Sequence, residues 1–208
     1  LTVGFPGECV AELLGSTPCV TDRVRGVLEV SFGKVAAGTT RTVVVKFTTP
    51  GRAAGASLAF STKLAFTDAV SGERATQEVP GETLKLYVGT EAQNTGQRRA
   101  MERSLTAAAA WSAHSARLAI AHNRDGEYDR ARVYLHDQLR HFERFCTGLD
   151  DSQHLLADFR AVAEAIDFEW DERSRKSMEV MYSKGFGGSR DHRTNRANLC
   201  YSITGPSV

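Results

Sequence analysis

The sequence predicts an α+β protein in which an N-terminal antiparallel β-sandwich module, residues 1–90, precedes a C-terminal bundle of about three long helices, residues 91–188. Before residue 90 the chain is rich in Val, Thr, Gly and Phe, and apolar and polar side chains alternate, as on strands with one buried face. Beyond it, Ala, Arg, Glu, Leu and His prevail in long stretches without Gly or Pro, which favours helices. Residues 189–208 are assigned to a polar tail.

The first strands are predicted within residues 26–51, GVLEVSFGKVAAGTTRTVVVKFTTPG. Two alternating runs flank a small polar turn that contains Gly38, so we expect a β-hairpin whose inward side chains feed a two-sheet core. Two later alternating sets follow, namely Leu58, Phe60, Leu64 and Phe66, and then Leu84, Leu86 and Val88. Several short strands separated by Gly-containing turns are typical of a β-sandwich.

The helices are predicted from apolar residues three and four apart. The expected segments are a helix over residues 97–123, a turn at Arg124–Glu127, a second helix over Tyr128–Cys146, a third from Ser152 to Ile166, a continuation over residues 172–184, and a short strand in the tail at residues 199–203. Ser152 is the candidate N-cap of the third helix. The GEYDRAR segment resembles a tetratricopeptide hairpin, but only one unit is visible, so we interpret it as a helical hairpin rather than an array.

Composition and charge exclude several functional classes. The 208 residues carry a net charge of +1, which gives no general attraction to nucleic acid or to an anionic membrane. No apolar run approaches the roughly 20 residues that span a bilayer. The start, LTVGFPGECV, lacks the features of a signal peptide and suggests a fragment of a longer chain. We expect a cytoplasmic location, although the parent protein could be membrane-anchored or exported.

The four cysteines do not form a metal-binding pattern, because they contain no CxxC pair and no His at zinc-finger spacing. Cys9 and Cys19 could be bridged in an oxidising compartment, or all four thiols could be free in a reducing one.

Catalytic patterns are equally weak. His136 and His141 are five apart, and His114 and His122 eight apart, whereas metal pairs on a helix are four apart. The acidic residues between 164 and 172 fan around a helix, the glycines after Lys184 follow a helix instead of opening one, and the basic residues at 190–196 fit a mobile tail. We therefore predict no catalytic residue, no metal site and no cofactor.

The candidate binding residues are aromatic. Trp111, Trp170 and Tyr134 lie on predicted helices, and Trp and Tyr are enriched in the anchors of protein interfaces. The alternative is that these side chains pack into the core of their own domain.

The order of elements resembles a known family. Residues 26–47 read G-x-L-x-V-x-F-G-K-V-x-A-G-T-x-R-T-V-V-V-K-F, a Gly-Glu strand follows, and a helical arm contains GEYDRAR. This pattern resembles the region that follows the von Willebrand factor type A domain in bacterial proteins of the Ca-activated chloride channel-like group. The resemblance spans residues 27 to about 182 and implies a β-sandwich followed by helices. The family's Asp-x-Ser-x-Ser metal site has no counterpart here, because Asp151-Ser152 is followed by Gln153 and His154.

These observations lead to one leading hypothesis and two alternatives. The leading one is a non-enzymatic scaffold that positions a von Willebrand factor type A domain of the same chain and presents a helical surface to protein partners. The second is a module that binds a small molecule or carbohydrate through sandwich loops, where Phe5 is the aromatic candidate. The third is an enzyme with a site between the sandwich and the helices, in a pocket lined by at least two of His114, His122, Glu164 and Asp167.

Overall fold

A computed structural model describes residues 1–80, 84–166, 170 and 172–183, and these residues form a mixed α+β protein with antiparallel sheets and five helices. The chain divides into two compact units, Leu1–Arg98 and Arg99–Val208. The glycine-containing segment after Lys184, the basic tail and the strand expected at residues 199–203 lie outside the described residues. Among the described helices, none combines the length and the apolar character that crossing a membrane requires.

The first unit is built from short antiparallel strands. They are β1 (Thr2–Gly4), β2 (Val10–Leu13), β3 (Cys19–Asp22), β4 (Val27–Val30), β5 (Val45–Thr48), β6 (Ser57–Ala59), β7 (Ser61–Thr67), β8 (Arg74–Val79) and β9 (Lys85–Tyr87). One sheet has the order β3-β4-β1-β7-β8, and two smaller sheets pair β2 with β5 and β6 with β9. A short helix, α1 (Glu91–Thr95), follows and begins with a capping box between Thr90 and Gln93.

The hairpin predicted within residues 26–51 is wrong, because its two strands belong to different sheets. Strand β4 pairs with β3 and β1, whereas β5 pairs with β2. The β3–β4 turn explains the difference: the backbone N–H groups of Val24 and Arg25 both donate to Asp22 Oδ1 at 3.0 Å, and Gly26 adopts a φ of +64°. Closing this four-residue link loses less conformational entropy than closing the long segment 31–44.

One apolar cluster draws on all three sheets of the first unit. Phe47 of β5 packs between Phe5 and Phe60, with ring centroids 5.7 and 4.7 Å apart. Leu28 of β4 is fully buried, and Leu58 of β6 is 5% exposed. The cluster is completed by Val3, Cys9, Ala11, Leu13 and Val30. Residues from distant points of the sequence therefore share one core.

The β7–β8 hairpin extends past its neighbour, and most of the residues in its two strands are exposed. Strand β1 pairs only with Ser61–Lys63 of β7, so the remainder of the hairpin has no third strand among the described residues. Phe66 is 46% exposed as a result, and Leu86 of β9 is 57% exposed, although the alternation predicts both to be buried.

The second unit consists of α2 (Met101–Arg124), α3 (Tyr128–Cys146), α4 (Gln153–Ala165) and α5 (Glu172–Ser183). The bounds of α3 agree with the sequence expectation, whereas α2 begins four residues later than expected. Phe142 of α3 and Phe159 of α4 are fully buried and meet edge to face at 5.1 Å. Helix α2 contributes mainly small side chains to this core, namely Ala108, Ala113, Ala116 and Ala119, which allow neighbouring helices to approach closely.

Ser152 stands at the N-cap position of α4, but the predicted side-chain cap is wrong. Its backbone is already helical, with φ −82° and ψ −9°, whereas a capping residue is normally extended. The hydroxyl therefore turns back and donates to the carbonyl of Leu149 at 2.7 Å. This bond fixes the α3–α4 loop instead of the first turn of the helix.

Candidate protein-interaction surface

Trp170, one of the three predicted interface residues, is buried. Its side chain is 5% exposed within the helical core, and its indole N–H donates to the carbonyl of Ala165 at 2.6 Å. In this conformation the ring offers almost no surface to a partner, which favours the alternative that it is a core residue.

Trp111 is only half-buried, and several contacts fix its orientation. Its indole N–H donates to Gln138 Oε1 at 2.9 Å, which joins α2 to α3. The ring meets Phe142 and Phe145 edge-on, both at 5.7 Å between centroids. One part of the indole thus packs on the core while the rest stays accessible in a fixed position.

Tyr134 lies on the same face of α3 as Gln138 and Phe145, because the spacings of four and seven residues return to one side of a helix. Its ring is 6.2 Å from that of His122 on α2. Trp111 and His122 are eleven residues apart, which again places them on one side. We define the aromatic seam between α2 and α3 by these residues and Arg99: Arg99, Trp111, His122, Tyr134, Gln138 and Phe145.

Arg99 closes one end of the aromatic seam, a role that no pattern in the sequence predicts. Its guanidinium lies 4.5 Å from the centroid of the Phe145 ring, a cation–π contact. The same group donates to the carbonyls of Phe145 at 2.7 Å and Thr147 at 3.3 Å. It thereby satisfies carbonyls that end α3, where a positive charge is favourable. No periodicity links residue 99 to residue 145, so only the fold reveals the contact.

The opposite end of the aromatic seam carries an ionic cluster. His122 Nδ1 lies 2.8 Å from Glu127 Oε2, and Arg130 donates to the same carboxylate at 3.0 Å. The hydrogen bond with His122, followed by the charge of Arg130, lowers the pKa of Glu127. The seam therefore offers an aromatic centre between a cationic end and an end with mixed charges, a composition common in protein interfaces.

A depression of about 490 Å³ opens at the α3–α4 loop, away from the residues proposed for an enzyme. Its lining includes Cys146, Asp150, Asp151 and Arg160, but none of His114, His122 and Glu164; Asp167 lies outside the described residues. Arg160 donates twice to Glu143 Oε1, at 2.9 and 2.7 Å, so both charges are paired. Burial raises the pKa of the Cys146 thiol, which disfavours the reactive thiolate.

The remaining candidates are dispersed. Within the described ranges, no group of three or more His, Cys, Asp and Glu side chains could hold a metal ion. Cys9 is buried, Cys19 is exposed, and both are free thiols, so the bridge considered for them is not formed. Phe5, the aromatic considered for loop-mediated ligand binding, is 7% exposed and packs on Phe47.

Comparisons with protein-family models, curated proteins and solved structures returned no match for this chain.

Proposed function

We propose that this chain is a non-enzymatic scaffold and protein-interaction region of a larger protein that carries a von Willebrand factor type A domain. In this proposal the first unit is a β-sandwich that sets the position of that domain, and the second is a bundle of three long helices, α2 to α4, with α5 as an extension. The shared apolar cluster, in which Phe47 packs on Phe5 and Phe60, supports the sandwich interpretation.

The observation that carries the binding role is the aromatic seam. Half-buried aromatic side chains lose little conformational entropy on binding when they are already held in place. Trp111 is held by Gln138 and by two aromatic rings, and Phe145 by Arg99. Trp, Tyr and Arg are also the residue types that dominate interface anchors. The seam therefore suits a protein partner better than a small ligand, which needs a concave pocket.

The family resemblance gives this proposal its partner. Any metal-ion-dependent adhesion site would belong to the domain upstream of Leu1, and this chain would contribute position and contact area. The parent reading frame tests the point directly: an Asp-x-Ser-x-Ser loop within roughly 200 residues upstream, about one domain length, is expected. A catalytic domain of another kind at that place would contradict it. In this proposal the chain lies in the cytoplasm, as expected from the sequence.

Photo-crosslinking tests the surface. A benzophenone amino acid at Tyr134, in the aromatic seam, should crosslink to a defined protein or to the upstream domain when the parent protein is expressed in its native cell. Val133 is the matched control because it is adjacent in sequence, 66% exposed and on another side of α3. Crosslinks at position 133 equal to those at 134, or none at 134 with the fold intact, would refute the seam as a docking surface.

A further inference from the structure

Strand β8 forms one edge of the five-stranded sheet, and its residues are exposed. In the strand order β3-β4-β1-β7-β8, no strand of the described chain pairs with its outer side. Five of its six residues are exposed, and Ala75 is half-buried. An open edge of this length offers unpaired backbone groups to another strand, and natural proteins usually cover or block it. Strand β8 contains no Pro, and its two charged residues, Arg74 and Glu78, have opposite signs.

The register of the β7–β8 pair determines which backbone groups point outward. Asp68 N–H donates to the carbonyl of Glu73 at 2.9 Å, so this opposed pair is a hydrogen-bonded one. Hydrogen-bonded and non-hydrogen-bonded pairs alternate along antiparallel strands. The pairs Phe66–Ala75 and Leu64–Gln77 are consequently bonded as well. The N–H and C=O groups of Arg74, Thr76 and Glu78 therefore face the open edge.

The side chains of these three residues are complementary to the same strand reversed. With Thr76 at the centre, Arg74 stands two residues before it and Glu78 two residues after it. When two such strands run antiparallel about a two-fold axis through Thr76, each Arg74 lies opposite a Glu78. Opposite charges at directly opposed positions stabilise a strand pair, and like charges destabilise it. A contact that matches a surface with itself is the kind that closes a dimer.

We propose that β8 pairs antiparallel with β8 of a second copy of this chain, with Thr76 opposite Thr76 and Arg74 opposite Glu78. The two five-stranded sheets then become one continuous sheet. Glu78 already lies 3.1 Å from Lys63 of β7. In the dimer it stands between Lys63 of its own chain and Arg74 of the second copy, so each half of the interface carries a row of alternating charge. The three outward backbone positions of each copy gain hydrogen-bond partners.

Charge exchange tests this register in the 208-residue chain by sedimentation velocity across a range of concentrations. We expect wild type to dimerise, and Arg74→Glu or Glu78→Arg each to weaken the dimer about tenfold or more, because both opposed pairs become repulsive. An equimolar mixture of the two variants should dimerise again, since the carboxylates at 74 and 78 of one chain then face the guanidinium groups at 78 and 74 of the other. A monomeric wild type, or variants that dimerise as wild type does, would overturn the proposal.

A backbone substitution provides an independent control. The N–H of Thr76 is not used within the β7–β8 hairpin, so Thr76→Pro should leave the fold in place while it removes both hydrogen bonds of the central Thr76 pair, one donated by each copy. Thr76→Val retains that N–H and should dimerise like wild type. Dimerisation of a folded Thr76→Pro protein would refute the edge contact. These positions lie outside the aromatic seam, so the crosslinking pattern at Tyr134 reports on the proposed function separately.

Discussion

The helical unit and the sheet unit bury their apolar residues by different routes. In α3 the fully buried Ala131, Leu135 and Phe142 are four and seven residues apart, so a single local period selects them. In the sheet unit Phe47 meets Phe5 and Phe60, and Leu58 shares the core with Leu28, across sheets whose strands are distant in sequence. The first kind of core can be predicted from spacing, whereas the second requires the strand pairing.

The units also differ in how completely they are covered. Helix α2 is lined on its buried side by alanines and serines and contacts α3, α4 and α5. The β7–β8 hairpin has exposed residues on both faces and extends past the three residues of β1. Substitutions should therefore lower the free energy of unfolding most in the helical core and least near the tip of this hairpin.

The largest expected effect comes from Phe159→Ala. This ring is fully buried against Phe142, and its removal should lower the free energy of unfolding by about 3–5 kcal/mol. Both tryptophans, Trp111 and Trp170, belong to the helical unit, so their fluorescence during denaturant unfolding reports on it. Phe66→Ala is the matched control in the sheet unit, because its ring is 46% exposed. Its loss in free energy of unfolding, measured by hydrogen exchange of β7, should be clearly smaller. Equal costs would contradict the comparison.

Gly26→Ala should be the most damaging small change in the sheet unit. Gly26 and Gly33 have nearly equal φ values of +64° and +62°, but a Cβ at Gly26 would collide with the carbonyl oxygen of Phe5, while one at Gly33 meets nothing within 4 Å. We expect a loss of about 2–4 kcal/mol for Gly26→Ala, against about 1 kcal/mol for Gly33→Ala. Hydrogen exchange of the β1 and β4 amides measures both. A similar loss for the two variants would show that φ alone matters.

Asn123→Leu should stabilise the helical unit. Asn123 is fully buried, and neither its Oδ1 nor its Nδ2 has a hydrogen-bond partner among the described residues. Replacing an unpaired buried amide with an apolar side chain of similar size should raise the free energy of unfolding by about 1–2 kcal/mol. Ser115 carries the other unpaired polar side chain of α2, and Ser115→Ala should also raise the free energy of unfolding, but by less. A loss of stability for Asn123→Leu would reveal a water or a partner at the amide.

The smallest effects concern acid stability, through one turn carboxylate in each unit whose pKa is lowered, Asp68 in the sheet unit and Glu127 in the helical unit. Contact with His122 and then Arg130 lowers the pKa of Glu127, and hydrogen bonds from the N–H groups of Ser71 and Val70 lower the pKa of Asp68. A carboxyl whose pKa is lower in the folded state stabilises the fold above its unfolded pKa. That contribution is lost as the pH falls below about 4 and through the folded value.

Glu127→Gln should therefore reduce the loss in free energy of unfolding that the helical unit shows as the pH falls, measured by tryptophan fluorescence. Asp68→Asn should do the same for hydrogen exchange of the β7–β8 hairpin. If Asp68→Asn flattened the tryptophan curve as Glu127→Gln does, the two turns would not act on separate units.

The interaction residues show the limit of sequence reasoning on the candidate site. Trp111 and Tyr134 were predicted from residue type alone, and both lie in the aromatic seam. Trp170 has the same type but is buried, because its position after α4 turns it into the core. Arg99 was missed, since its partners are 46 and 48 residues away. Residue type identifies candidates, but exposure and long-range contacts decide among them.

By itself the sequence determined the α+β class, the change from strands to helices, the bounds of α3 and most of the apolar stripe on α4, because these depend on interactions within a few residues. Only the tertiary structure decided that β4 and β5 belong to different sheets, that the hydroxyl of Ser152 turns to Leu149 and that no strand among the described residues pairs with the outer edge of β8. Hydrogen bonds between strands join residues far apart along the chain, and the alternation of side chains records which face is buried without recording which strand lies alongside.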